Sequence, residues 1–108
     1  MAKFMAIYTG QPGGPPPDGE TLAKGMQAWS AWIARHAGQI VEMGGPLGKT
    51  KRVSAAGVAD VSNNIAAYIV VEADSHEAAA RLFENHPHFS IFPGDGVDVM
   101  PCLPIPGR

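Results

Sequence analysis

Residues Ile65–Val71 read Ile-Ala-Ala-Tyr-Ile-Val-Val, with no polar residue on either face of a strand. A strand with one wet face alternates apolar and polar side chains, so an unbroken apolar run implies cover on both sides. The remaining chain supplies about two helices, enough to cover one face of a small sheet. A second copy of the same chain is the simplest cover for the other.

Size and charge narrow the function classes. A chain of 108 residues buries roughly two-thirds of its unfolded surface, enough for one domain with one core over residues 1–108. A net charge of -2, with eight Lys and Arg, argues against nucleic acid or anionic membrane as a partner, since either selects a basic patch. The local basic cluster of Lys49, Lys51 and Arg52 suits protection of a strand edge. Cys102 is the sole cysteine, which rules out an intrachain disulfide or a thiolate metal cage. With no signal-peptide pattern and no apolar run near the length of a membrane span, the expected setting is cytoplasmic.

Along the chain, Lys3–Tyr8 reads as a first strand, followed by the loop Gly10–Gly19 with three consecutive prolines, either a lid or a spacer. From Glu20 to Ala37 the period becomes helical, with Leu22, Met26, Trp29, Ile33 and Ala37 as the apolar stripe. Asp18 or Thr21 is placed to cap its start and Gly38 to end it. Trp32 and His36 fall together on one flank of that helix. Gln39–Met43 reads as a second strand, Lys51–Ser54 with Val58–Val61 as a hairpin, and Val97–Leu103 as the last strand. Asp74 or Ser75 caps a second helix whose inward stripe is Ala79, Leu82, Phe83 and His86, with Pro87 as its stop.

Strand, helix, strand, hairpin, strand, helix, strand is the order of an α+β, ferredoxin-like βαββαβ sandwich with a hairpin insert. One sheet face then carries either Ala66, Tyr68 and Val70 or Ala67, Ile69 and Val71, and both sets are apolar. Left wet, such a patch forfeits several kcal/mol at about 25 cal/mol per Å². Pairing sheet to sheet as a homodimer, in the manner of a dimeric α+β barrel, removes the exposure.

The segment Gly38-Gln-Ile-Val-Glu-Met-Gly-Gly-Pro-Leu47, the passage Tyr68–Ala79, and the ending His86-Pro-His-Phe89 through Val97–Pro101 together resemble the YCII-related family, over nearly the whole chain outside the proline-rich loop and the hairpin. The resemblance implies a small dimeric α+β barrel, and a His and an Asp near a cleft as the catalytic pair suggested in some members. This chain departs from that pattern. Counting back from Gly38 to the family histidine reaches Gln27, and His86 replaces the acidic residue often found before the helix-ending proline. A His–Asp mechanism does not transfer unchanged.

His86 is the leading candidate for proton transfer, because it ends an apolar stripe and imidazole titrates near neutral pH; the alternative is a histidine that only satisfies helix-end carbonyls. Asp98 or Asp95 would orient it. Trp32, His36, Tyr68, Tyr8 and His88 are the candidate substrate-binding residues, the rings as walls and the polar tips as handles; packing alone accounts for them equally. His86-Pro-His88 offers two imidazoles, but no ligand-spaced third residue completes a metal site, and no metal or organic cofactor is implied. Gly44-Gly45 and Gly94-Asp95-Gly96 lack the spacing of phosphate loops. The expected function is binding of a small, partly apolar molecule in a cleft between helices and sheet. Whether acid–base chemistry of an isomerase, cyclase or lyase type follows, or the protein is a dimeric accessory or ligand-sensing module, the residues alone leave open.

Overall fold

In the computed structural model, which describes residues 1–11 and 14–107, the chain runs β1 (Ala2–Thr9), α1 (Gly19–Arg35), a 3-10 turn (Ala37–Gln39), β2 (Ile40–Pro46), β3 (Thr50–Ser54), β4 (Gly57–Val61), β5 (Ile65–Ala73), α2 (His76–Arg81), α3 (Pro87–Ser90) and β6 (Gly96–Pro101). Four strands form one antiparallel sheet in the order β2-β5-β1-β6, the ferredoxin-like arrangement of two interleaved strand-helix-strand units. β3 and β4 pair with each other as the expected hairpin insert. Pro12 and Gly13, in the loop expected to be a lid or a spacer, lie outside the described residues. Among the described residues, no helix is long and apolar enough to cross a membrane.

The two central strands are β1 and β5, and their register decides which side chains go inward. Phe4 lies opposite Val71, Ala6 opposite Ile69 and Tyr8 opposite Ala67. These side chains, with Ala73, Trp32, Ala79 and Phe83, make the core beneath the helices. The alternate residues Met5, Ile7, Tyr68, Val70 and Met100 share the opposite face. Among the described residues no helix covers that face, and Glu42, Glu72 and Asp98 lie among its residues.

Both helices differ from their expected form. In α1, Gly25 and Trp32 are the buried positions, while Leu22 and Met26 are about half exposed. The stripe is rotated because two contacts pull on the other flank. A Cβ at Gly25 would overlap the ring of Phe92, so this glycine lets the loop before β6 lie directly on the helix. The Trp32 indole N–H donates to the Leu82 carbonyl at 2.8 Å. Asp18 caps α1 through a bond from the Thr21 N–H at 2.7 Å. The helix ends at His36 and not through a left-handed Gly38.

The second helix stops at Arg81, a turn earlier than its apolar stripe suggests. The chain then turns through Asn85, whose φ of 56° is left-handed, a conformation asparagine tolerates better than most residues. Pro87 therefore starts α3 and does not end α2, as suits a residue with fixed φ and no N–H to satisfy. Ser75 caps α2, accepting from the Ala78 N–H at 3.0 Å.

Gly44 is the position where β2 depends on glycine. Its φ is +64°, and a Cβ there would overlap the carbonyl of Tyr68 on β5. Nothing lies within 4 Å of a Cβ built at Gly45. Gly44→Ala is expected to cost about 2 kcal/mol or more, from left-handed backbone and overpacking together. Gly45→Ala should change stability by less than about 1 kcal/mol. Urea unfolding midpoints of the two variants check the contrast.

Candidate functional site: a histidine pair and the cleft at the end of the sheet

The last turn of β1 delivers Tyr8 and Thr9 to the place where the chain re-enters the core at His86. His86 is the N-cap of α3, and its Nδ1 accepts the backbone N–H of His88 at 3.0 Å. A neutral imidazole that accepts at Nδ1 carries its proton on Nε2. Nε2 lies 3.2 Å from the Tyr8 hydroxyl oxygen, so here the ring donates and the tyrosine accepts. Trp29 and Trp32 meet the ring edge-on, with centroids 4.6 and 4.7 Å away. His86 is fully buried. Burial, then the nearby His88 and His36, pulls its pKa down to about 4. Burial also raises the Tyr8 phenol above its ordinary value. His86 is therefore neutral at physiological pH, a cap and an aromatic wedge.

His88, two residues on, is held differently. Its Nε2 lies 2.7 Å from the Thr9 carbonyl, which can only accept, so the neutral ring keeps its proton there. The same carbonyl accepts the Asp95 N–H at 2.9 Å. The backbone of His88 is tied on both sides, by its N–H to His86 and by its carbonyl to the Gly94 N–H at 2.9 Å. A Cβ at Gly94 would overlap both the ring and the carbonyl of His88. Nδ1 of His88 has no partner among the described residues, and among them no buried side-chain nitrogen or oxygen lacks one. That nitrogen therefore keeps a narrow opening to open space, although His88 as a whole is buried, at 9% exposure.

The open space is a cleft of about 930 Å³ at the end of the sheet, which His88 lines. One wall is the β2–β3 connection and the hairpin, with Leu47, Lys49 and Lys51; the other is the loop Phe92–Gly94, and Ile65 with Ala66 form part of the lining. Lys51 is paired with Asp60 across the hairpin at 2.6 Å. The volume is that of a pocket for a small organic molecule.

Of the residues singled out in the sequence, the fold brings Tyr8, His86, His88 and Trp32 together, sets His36 against Trp32, and places Asp95, Asp98 and Tyr68 elsewhere. Among the described residues no carboxylate hydrogen-bonds to His86. Asp98 pairs with Ile7 on the opposite face of the sheet, because its position in β6 has the wrong parity. Asp95 is exposed and meets the Gln11 amide at 3.4 Å. Tyr68 also faces away from the helices, donating to Glu42 at 3.0 Å, and that carboxylate raises its pKa. Trp32 is core, with His36 half-buried 5.0 Å from it. The 930 Å³ cleft thus opens beside the hairpin, while a smaller recess of about 300 Å³ lies between the helices and β6, lined by Phe83, Phe89 and Asp95. Phe92, Gly94, Gly25 and Lys49 went unrecognised; only the loop composition around Gly94 hinted at a close backbone approach. Among the described residues, no three His, Cys, Asp or Glu side chains are grouped to hold a metal ion.

The fold has solved counterparts. The chain is similar to 5-chloro-2-hydroxyhydroquinone dehydrochlorinase from Burkholderia phenoliruptrix AC1100, solved as a complex with 2,5-dihydroxybenzoquinone. The two share 18% identity at a TM-score of 0.53, over 90% of this chain and 89% of the other. At that identity the likeness is one of fold. No family model matches the chain, and no curated protein does.

The depressed His86 pKa makes stability pH-dependent. Above its ordinary value of 6.5 the ring is neutral both folded and unfolded, and nothing is lost. As pH falls from 6.5 towards about 4, the unfolded chain takes up a proton that the folded one refuses. Stability should then drop by on the order of 3 kcal/mol from this group. His86→Asn keeps a capping acceptor without a titrating ring. Its urea-unfolding free energy should fall less steeply over that interval than the wild type's; parallel curves would assign the slope to other groups.

Proposed function

We propose that this protein binds a small, flat, hydroxylated molecule in the cleft beside the hairpin, with His88 accepting a hydrogen bond or a proton from a ligand hydroxyl. The observation that carries this is the His88 ring: the Thr9 carbonyl claims Nε2–H and leaves Nδ1 to the open side. An imidazole so fixed is an acceptor whose geometry is set before the ligand arrives. His86 acts at one remove, holding the His88 backbone N–H, and is a positioning residue. Tyr8 supports His86. The complex of the fold-sharing dehydrochlorinase with 2,5-dihydroxybenzoquinone supports a flat, oxygen-rich ring as the ligand type, and eliminations or isomerisations of such rings can run on side chains alone. Membership of the YCII-related family and a cytoplasmic setting belong to the same proposal. So does a homodimer in which a second copy covers Met5, Ile7, Val70 and Met100.

A non-catalytic, ligand-sensing role is the second reading, favoured by the burial of His86 away from any acid. Calorimetric titration with methyl 2,5-dihydroxybenzoate, a flat ring that keeps its hydroxyls at neutral pH, is expected to show saturable binding to the wild type. Binding should be weakened about tenfold or more in His88→Ala, the loss of one good polar contact, and unchanged in Arg52→Gln on the exposed hairpin. No saturable binding by the wild type, or equal binding by His88→Ala, would remove the cleft assignment. Binding without turnover of hydroxylated quinols would select the sensing role.

A further inference from the structure

We infer that the cleft selects a ligand bearing one anionic group, held by Lys49; this rests on the cleft being the binding site. The charged side chains lining the cleft are Lys49, Lys51 and Asp60. Lys51 and Asp60 neutralise each other at 2.6 Å. Lys49 makes no ion pair among the described residues, and Asp60 is the only carboxylate among the lining residues. One uncompensated positive charge thus stands on the hairpin wall, beside Leu47 and the self-neutralised Lys51–Asp60 pair. The whole chain carries a net charge of -2, so this positive wall runs against the overall sign and does not follow from it.

Lys49 is itself exposed at the rim, so its charge acts on a ligand through solvent and is open to screening by salt. His88 supplies the second point of recognition. Its open nitrogen accepts in the neutral form, so it takes a hydroxyl and is indifferent to an anion. A ligand satisfying both presents a hydroxyl at one point of its rim and a carboxylate, or an acidic enol, at another. The class is a hydroxylated aromatic or enolic acid of one net negative charge.

Two probes of the same ring separate charge from shape: 2,5-dihydroxybenzoate and its methyl ester. Titrated into the wild type, the acid is expected to bind about tenfold more tightly than the ester, as a charge-assisted contact exceeds a neutral one. Raising the salt from about 0.03 M to about 0.3 M should narrow that gap by screening. Lys49→Gln should weaken the acid to the level of the ester and leave the ester unchanged, while Lys49→Arg retains the preference. Equal binding of the two probes by the wild type overturns the inference, as does a preference that survives in Lys49→Gln. If both probes bind equally and His88→Ala loses both, the charge assignment falls while the cleft stands. If neither probe binds at all, cleft and charge assignment fall together.

Discussion

The bond from the His88 backbone N–H to the His86 ring governs everything else at this end of the molecule. It caps α3, chooses the tautomer of His86, and so turns Nε2–H towards Tyr8 on the central strand. By occupying the His88 N–H it also sets where the second ring emerges, against the Thr9 carbonyl. One short polar chain thereby ties β1, the end of α2 and the loop before β6 into a unit. Its His86–Tyr8 part is buried against Trp29, Trp32 and Phe83, where a polar group without a partner would be most costly. The two histidines divide the work, one neutral and buried, the other with a nitrogen open to the cleft.

Much of the fold was legible in the chain because its strongest signals are local and periodic. The run Ile65–Val71 had to be a central strand, and the alternation of strand-like and helix-like stretches dictated the topology. Asp18 was a recognisable cap because a short polar side chain before an apolar period has few other uses, while the second cap fell on Ser75, one residue past Asp74. The failures were non-local. Leu22 and Met26 have perfect helical spacing, yet Gly25 and Trp32 are the buried positions, because a residue 67 positions away from Gly25, Phe92, needs the space a missing side chain leaves. The break at Asn85 exists because His86 is worth burying, and no local propensity announces it.

The site followed the same division. Tyr8, His86 and His88 were identifiable as polar rings in apolar surroundings, and the fold gathers them, with His86 turned inward as the cap of α3. A histidine at the end of a helical stripe and one at the start of the next helix read alike in sequence, and only the backbone decides which it is. Asp98 illustrates parity: one residue either way along β6 would have put a carboxylate beneath the helices. Gly94 and Lys49 were invisible as site residues because their importance lies in what stands opposite them.

The β3–β4 hairpin packs chiefly on itself, its Lys51–Asp60 pair lying across its own two strands. Its paired residues Val53 and Val58 are largely exposed. Substitutions there alter the mouth of the cleft while leaving the four-stranded sheet intact. The rim of the cleft can therefore change its shape and charge without renegotiating how the four-stranded scaffold folds.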